Sequence, residues 1–230
     1  MNKFFQVISR ILDNIICFLY PPICISCEEI LPIGSVSAKR FLCEECFLNF
    51  NKNIDKNIND NTNKTHAYAY VYSGMVQECV YKFKYGKRDY IARGLGVAMA
   101  KSIDRDFFCD ADFIIPVPIH KKRYKRRGFN QAELLAKYLC KELSLSNVKK
   151  PTKLLKRTKY TKPMAELAPS LRKISIKDAF SLNSNINIAD STIIIVDDIY
   201  TTGATLDECA KILYENGAKK IKYATLSMVF

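Results

Sequence analysis

Two periods alternate in the hydrophobic pattern between residue 66 and the end of the chain. Residues 66–72 (HAYAYVY) place apolar side chains at alternate positions, as in a half-buried strand, and residues 191–196 (STIIIV) form the apolar run of a strand buried on both faces. Between such segments, apolar residues recur every three to four positions, as in amphipathic helices. The predicted strands are 66–72, 112–116, 153–156, 178–182, 191–196 and 223–229, and the predicted helices are 74–85, 90–104, 130–143 and 203–216.

Strands separated by helices predict an α/β fold with a mainly parallel sheet flanked by helices, which we place in residues 65–230. The chain has 230 residues, of which 48% are hydrophobic. These are ordinary values for a globular protein, and they exclude a largely disordered or fibrous chain.

Residues 1–20 are predicted to form an amphipathic helix. Eight apolar side chains follow a helical stripe, but polar residues such as Gln6, Arg10 and Asp13 interrupt it. A transmembrane segment needs roughly 20 continuous apolar residues, and Pro21-Pro22 is a poor signal-peptide cleavage site, so neither is expected. We predict a cytoplasmic protein whose first helix docks on its own chain, with a membrane surface or a partner as the alternative.

Four of the nine cysteines have the spacing of a zinc site. Cys24 and Cys27 form one Cys-x2-Cys turn, and Cys43 and Cys46 form a second turn after 15 intervening residues. Two such turns can direct four thiolates at one tetrahedral centre, and four protein ligands make a closed, structural site. The sequence therefore predicts a small four-cysteine zinc-binding module over residues 21–48; a pair of disulfides is the alternative.

The segment that follows, residues 49–64, is predicted to be a linker between this module and the α/β domain. Seven of its sixteen residues are asparagine, and its few apolar residues show no periodicity. Such a composition does not bury enough apolar surface to fold by itself.

Charge is the unusual quantity in the composition. The formal net charge is +13, and residues 65–230 carry the whole surplus, with 29 basic against 16 acidic side chains. A domain this basic usually binds an anionic partner. The cations concentrate in residues 121–127 and 149–162, and each cluster contains an aromatic residue suited to stacking on bases. The predicted single-stranded DNA contacts are Lys121, Lys122, Arg123, Tyr124, Lys125, Arg126, Arg157, Lys159, Tyr160 and Lys162; a solvated face, or a clamp for pyrophosphate that uses two or three of these cations, is the alternative.

Residues 193–205 (IIIVDDIYTTGAT) carry the most informative chemistry. A buried strand delivers Asp197 and Asp198 at its carboxyl end, where α/β sheets place their ligands. Three threonines and Gly203 then turn into a helix, and backbone N–H groups at a helix start bind anions. Carboxylates beside an anion cradle suit the vicinal hydroxyls of a 5-phosphorylated ribose, directly or through Mg²⁺. A capped helix with two surface aspartates is the alternative.

The same thirteen residues resemble the 5-phosphoribosyl-1-pyrophosphate (PRPP) signature of type I phosphoribosyltransferases. With the four-cysteine module, residues 115–120 (IPVPIH) and residues 127–131 (RGFNQ), the chain resembles the ComF family of competence proteins. The resemblance implies a type I phosphoribosyltransferase-like fold with a flexible hood over residues 157–173.

The resemblance also implies roles for individual residues. Asp197 and Asp198 would hold the ribose hydroxyls, one of them through Mg²⁺. The 5-phosphate would lie on Thr201, Thr202, Gly203, Ala204 and Thr205, and a pyrophosphate loop over 118–127 would contribute Pro118, Ile119, His120, Arg123 and Arg127.

Three functions agree with these patterns. The first is a ComF-type protein that binds PRPP with Mg²⁺ and single-stranded DNA, and works with competence proteins in DNA uptake. The second is an active phosphoribosyltransferase that acts on a base, an amine or a nucleotide, and the third is a PRPP-sensing regulator without catalysis. The cation surplus favours the first, and the sequence leaves catalysis open.

Overall fold

The computed structural model of the chain describes residues 21–52, 65–86, 89–148, 151–161, 168–183 and 186–230. The predicted N-terminal helix, most of the predicted linker and Lys162 lie outside the described residues. In the described ranges, no helix is both long enough and apolar enough to cross a membrane.

Six strands and nine helices make up the described part of the chain. The strands are β1 (His66–Val71), β2 (Phe113–Pro116), β3 (Leu155–Arg157), β4 (Phe180–Leu182), β5 (Thr192–Tyr200) and β6 (Lys220–Met228). The helices are α1 (Val36–Arg40), α2 (Glu44–Asn51), α3 (Gly74–Tyr85), α4 (Ile91–Ser102), α5 (Asp106–Cys109), α6 (Lys121–Arg127), α7 (Gln131–Leu143), α8 (Pro169–Ile176) and α9 (Ala204–Glu215).

Four strands form a wholly parallel sheet in the order β1-β6-β5-β2. The apolar strand β5 lies inside this sheet, with Ile195 opposite Ile115 on β2 and opposite Tyr223 on β6. Helices cover both of its faces, which confirms the predicted α/β fold.

Successive side chains of β5 enter different cores because they point to opposite faces of the sheet. Ile194 belongs to the core beneath α3, α4 and α7, and Ile195 belongs to the core beneath α9. On the first face, α4 and α7 pack closely at Gly96, where a Cβ would lie 2.6 Å from the Cβ of Tyr138.

The structure differs from the predicted elements in three places near the ligand-binding edge. The strands predicted near 153–156 and 178–182 are β3 and β4, which pair antiparallel in a separate small sheet. Strand β5 extends to Tyr200, so Asp197 and Asp198 lie within it rather than following the strand end, and Asp197 pairs with Thr225 on β6. In the segment expected to be a pyrophosphate loop, 118–127, only residues 118–120 are irregular. Residues 121–127 form helix α6.

The cysteine module packs against the α/β domain. Cys24, Ile25 and Phe50 are buried in the core that also contains α3 and α4, and the ring of Phe50 lies 4.4 Å from that of Tyr70 on β1. Helix α2 runs to Asn51, so the first residues of the predicted linker are helical. Module and domain therefore share one hydrophobic core.

Candidate functional site

Two adjacent carboxylates on β5 form the centre of the site. β2 ends at Pro116, opposite Val196, so Asp197 and Asp198 lie just beyond the point where β5 loses that neighbour. The backbone N–H of Asp198 donates to Asp197 Oδ1 at 2.9 Å, and Ser227 Oγ on β6 donates to the Asp198 carbonyl at 3.2 Å. The end of the sheet thus holds both carboxylates in defined positions.

A cation reaches this pair from another element. Lys84 Nζ in the last turn of α3 lies 3.1 Å from Asp198 Oδ1, and both side chains are largely buried. Burial, together with the neighbouring charge of Asp198, raises the pKa of Asp197 to about 7, although the backbone N–H of Asp198 and the charges of Lys84 and Arg157 act to lower it. The two carboxylates accept positive charge readily because each repels the negative charge of the other.

The loop between β5 and α9 has the backbone shape of an anion cradle. Gly203 is the N-cap of α9 with φ 74°, and a Cβ there would lie 2.6 Å from Tyr200 Oη, so the position requires glycine for conformation and for space. No side chain caps α9, so its first N–H groups are available to a ligand. The five residues predicted to hold a 5-phosphate, 201–205, line one small recess together with Asp197.

Helix α6 is capped by His120, one of the five residues predicted to bind pyrophosphate. His120 is its N-cap, and His120 Nδ1 accepts a hydrogen bond from the Lys122 N–H at 3.2 Å. The helix ends at Gly128, which has φ 86° and donates its N–H to the Tyr124 carbonyl. His120 therefore has a structural role as a helix cap, and its Nε2 atom is the part left for another partner.

Residues 127–131 fasten α6 to its neighbours. Arg127 Nη1 donates to Gln131 Oε1 at 3.0 Å, and the Gln131 amide donates to the Phe83 carbonyl at 3.4 Å. Asn130 caps α7 and donates to the Val117 carbonyl at 3.0 Å, and Phe129 stacks on Phe83 at 5.7 Å. The RGFNQ segment thus connects the 117–120 loop, α6, α7 and the end of α3.

Two arginines are buried beside the carboxylates. Arg123 on α6 is 8% exposed and Arg157 on β3 is 9% exposed, and Nη2 of each donates to Thr161, at 3.1 Å and 2.5 Å. Among the described residues, neither arginine has an ion-pair partner, and the Nε atoms of both, like that of Arg127, have no hydrogen-bond acceptor. Burial, with the neighbouring charge of Arg123, lowers the pKa of Arg157 to about 10. Each remains charged at neutral pH in a place that suits a bound anion.

One cavity of about 340 Å³ brings these groups together. The predicted ribose, 5-phosphate and pyrophosphate positions all reach it from separate parts of the sequence. Its charged and polar lining includes Lys84, Arg123, Arg127, Arg157, Arg172, Asp197, Asp198, Thr201 and Thr205.

A second cavity of about 580 Å³ adjoins the first and shares Ile119, Asn130 and Arg157 with it. Pro118 and His120 line this second cavity and not the first, so the structure divides the predicted pyrophosphate residues between the two.

Of the remaining predicted DNA contacts, those that the structure describes lie outside the 340 Å³ cavity. Tyr160 is 49% exposed, the His120 ring is 5.3 Å from its ring, and Lys122 Nζ is 5.6 Å from its centroid. We call these exposed residues the basic face: Lys121, Lys122, Tyr124, Lys125, Arg126, Lys159 and Tyr160. Arg123 and Arg157 are not part of it, because burial places them in the cavity.

The four cysteines of the module converge at one point. Their sulfur atoms all lie within 4.8 Å of one another, and the Cys27 and Cys43 sulfurs are 3.7 Å apart. A tetrahedral centre with Zn–S bonds of about 2.3 Å requires sulfur separations near ~3.8 Å, so the cluster could hold zinc. Burial opposes ionisation of Cys24, but backbone N–H groups of Cys43, Cys27 and Ser26 hold its pKa at about 7. These donors favour the thiolate that a metal requires.

The cavity residues that sequence reasoning missed include Lys84 and Tyr85. Both lie at the end of α3, for which the pattern predicted only a helix. The signal that could have found them is the alternation of aromatic and basic residues in 81–85 (YKFKY).

The comparison with protein families agrees with this geometry. The family described as "Phosphoribosyl transferase domain" matches residues 98–227, more than half of the chain, and this range includes the β5 carboxylates, the 201–205 loop and both buried arginines. The chain belongs to the phosphoribosyl transferase domain family. This membership confirms the type of fold that the sequence resemblance implied.

Relatives of this phosphoribosyl transferase domain protein carry competence-related names. It is 38% identical over 110 residues to "Competence protein F" of Haemophilus influenzae, covering 47% of each chain. It is 37% identical over 111 residues to "DNA utilization protein YhgH" of Escherichia coli, covering 48% of this chain and 47% of the relative. It is 30% identical over 154 residues to "Competence protein ComFC" of Bacillus subtilis, covering 64% and 57%.

These relatives confirm the resemblance to ComF proteins. The chain spans about half the length of the curated relatives it matches.

Proposed function

We propose that this protein binds PRPP with Mg²⁺ in the 340 Å³ cavity and single-stranded DNA on the basic face beside it, and that it acts in DNA uptake for natural transformation. Family membership and the names of the relatives support this role, and the proposal extends them to particular residues.

The observation that carries the proposal is the burial of Arg123 and Arg157 without an ion-pair partner. Removing a charged group from water is costly unless a partner offsets the loss, and among the described residues none forms an ion pair with either guanidinium. A pyrophosphate group offers several acceptor oxygens and the opposite charge, and arginine is well suited to bind it because its donors form a planar fork.

The carboxylates and the 201–205 loop fit the ribose and the 5-phosphate of the same ligand. Asp197 and Asp198 present hard oxygen atoms that can accept the ribose hydroxyls or coordinate Mg²⁺, and the 201–205 loop presents backbone N–H groups to the 5-phosphate. When bound, Mg²⁺ would neutralise part of the pyrophosphate charge. Asp198 would then exchange its partner Lys84 for the metal or the ribose hydroxyls, and the Lys84 ammonium would be available to a phosphate oxygen of the ligand.

The basic face supports DNA binding because its cations are exposed. Lys121, Lys122, Lys125 and Arg126 project from one short helix, and Tyr124 and Tyr160 expose about half of their surface next to them. Positive charge with interleaved aromatic rings binds single strands without strong sequence preference.

Calorimetric titration of the zinc-loaded protein tests the proposal. We expect saturable PRPP binding that requires Mg²⁺, and oligonucleotide binding that weakens with salt. Absence of PRPP binding would remove the ligand half of the proposal, and absence of single-strand binding would remove the DNA half.

Phosphoribosyl transfer is a second candidate function, which the 580 Å³ cavity favours because it offers an acceptor a place beside the first cavity. The ribose C1–oxygen bond to pyrophosphate would break as an acceptor nitrogen bonds to C1, and the buried arginines would stabilise the departing anion. Pyrophosphate release from Mg·PRPP that depends on an added nucleobase would support transfer, and equal release without a base would contradict it.

A further inference from the structure

Two tyrosines on α3 form an exposed aromatic pair at the opening of the 340 Å³ cavity. Tyr81 and Tyr85 are one helical turn apart, their ring centroids are 4.9 Å apart, and 63% and 50% of their respective surfaces are exposed. Tyr85 also lines the cavity itself, next to Lys84.

Helix α6 places one cation over Tyr85 and another over Tyr160. The Arg127 guanidinium lies 5.4 Å from the Tyr85 ring centroid, and its contact with Gln131 fixes it there. On the same helix α6, Lys122 Nζ lies 5.6 Å from the ring centroid of Tyr160. Helix α6 is therefore flanked by aromatic rings on two sides.

Helix stability alone does not account for this arrangement. Aromatic residues four positions apart stabilise a helix by only about 0.2–0.5 kcal/mol. Stacking of a nucleobase on an exposed aromatic ring contributes about 1–3 kcal/mol, and nearby cations bind the phosphates on either side of that base.

We propose that Tyr85, extended by Tyr81, is a stacking platform for a base of single-stranded nucleic acid at the mouth of the cavity. The proposal rests on the DNA half of the proposed function and gives it a location that the basic clusters do not include. The strand would pass from Tyr85 along α6 to Tyr160, with its phosphates on the cations between them.

The test compares two oligonucleotides of equal length and charge: twelve thymidines, and twelve abasic tetrahydrofuran units. Fluorescence anisotropy gives the affinity of each for the zinc-loaded protein. We expect the wild type to bind the thymidine strand more tightly. Tyr85→Leu should weaken thymidine binding about ten-fold while leaving abasic binding unchanged, and Tyr85→Phe should retain the wild-type preference because it keeps the ring.

Tyr214→Leu is the matched control. Tyr214 is 51% exposed, but it lies on the last turn of α9, roughly 15 Å along the helix from the 201–205 loop. This variant should bind both strands like the wild type, and thermal melting of all variants checks that each is folded.

The outcomes separate this inference from the proposed function. Equal weakening of thymidine and abasic binding in Tyr85→Leu, or no weakening of either, would overturn the platform while DNA binding stands. A wild type that binds neither strand would overturn the DNA half of the proposed function and the platform with it. A wild type that binds thymidine strands through Tyr85 but fails to bind PRPP would support the platform and overturn only the ligand half.

Discussion

The two buried arginines of the cavity come from the same two stretches of sequence as the basic face, yet the fold places them in different surroundings. Arg123 lies in the same short helix as Lys122, and Arg157 lies two residues from Lys159. Arg123 and Arg157 are less than one-tenth exposed, whereas Lys122 and Lys159 are exposed to solvent.

This difference teaches that a cluster of like charges need not be one site. A buried guanidinium has lost its hydration and interacts strongly with a small anion in the same cavity. An exposed ammonium keeps its hydration, and its attraction to a phosphate chain is screened by salt. One cluster can therefore supply a position for a compact ligand and a surface for a polymer.

The largest expected effect comes from Asp198→Asn. This change removes a charge that binds Lys84 and, on our proposal, the metal or the ribose hydroxyls. Mg·PRPP affinity should fall by about a hundred-fold, because hydrogen bonds to charged groups are worth about 1.5–3 kcal/mol. Single-strand affinity should change by less than about two-fold, because the exposed cations of the basic face are unaltered.

Calorimetry with PRPP and anisotropy with an oligonucleotide measure both sides of that prediction. Asp190→Asn is the control, since Asp190 is exposed and its positive φ of 58° suits asparagine. Equal losses of PRPP and DNA affinity in Asp198→Asn would mean that the cavity and the basic face are one overlapping site.

Arg157→Met should affect affinity and stability in opposite directions. PRPP affinity should fall about thirty-fold, because the variant cannot form a charge-assisted hydrogen bond to the ligand. Without ligand, the free energy of unfolding should rise by about 1 kcal/mol, which corresponds to a melting temperature a few degrees higher. The reason is that a buried charge without an ion-pair partner is replaced by an apolar side chain of similar length.

Differential scanning calorimetry without ligand measures the melting temperature, and calorimetric titration with Mg·PRPP measures the affinity. Arg93→Met changes an exposed arginine on α4 and should alter neither quantity. A lower melting temperature combined with unchanged PRPP affinity would show that Arg157 is a structural residue.

The triple variant Lys121→Ala, Lys122→Ala and Lys125→Ala should weaken single-strand binding about ten-fold in low salt. The log–log salt slope should become shallower by about 2, at about 0.7 for each phosphate that is no longer neutralised, while PRPP affinity is kept. A control variant of equal charge replaces three exposed lysines elsewhere with alanine: Lys101, Lys211 and Lys219. If both triple variants weaken DNA binding equally, net charge and not the basic face is responsible.

The smallest effect concerns His66, whose half-buried imidazole is neutral at pH 7, whereas the two buried arginines keep their charge. Burial lowers the pKa of His66 to about 4 from 6.5. The unfolded chain therefore takes up a proton at a higher pH than the folded protein, so stability is full above pH ~6.5 and is lost as pH falls toward ~4. Between pH 7 and pH 6 the loss should be ~0.7 kcal/mol.

Urea unfolding of the wild type and of His66→Gln at the two pH values isolates this contribution. The His66 ring lies 4.2 Å from that of Tyr200 and hydrogen-bonds Thr225, so the variant keeps a hydrogen-bonding side chain. If the free energy of unfolding changed equally with pH in both proteins, the predicted contribution of His66 would be contradicted.

The sequence predicts the parts of the site that depend on contiguous residues. The run from Ile193 to Val196 identifies an interior strand, and the two aspartates and the threonine-glycine loop follow it directly, so their shared location results from chain connectivity. The spacing of the four cysteines likewise predicts their convergence, because each turn of the chain brings two sulfurs together.

Other features required the tertiary structure. The family resemblance implied a pyrophosphate loop over 118–127, whereas the structure has helix α6 over Lys121–Arg127. The uniform charge of these residues hides the periodicity that would have indicated a helix. The domain boundary at 49–64 and the detailed roles of the site residues remain predictions.

By itself, the sequence determined the α/β alternation, the carboxylate pair on β5, the threonine-glycine loop that follows it and the cysteine cluster, since local periodicity and spacing specify each of them. Tertiary structure alone decided which cations are buried and which are exposed, and it brought Lys84 and Asp198 together across more than a hundred residues. The reason is physical: the burial of a side chain, and its contacts with distant elements, depend on how helices and strands pack, and no local pattern records that packing.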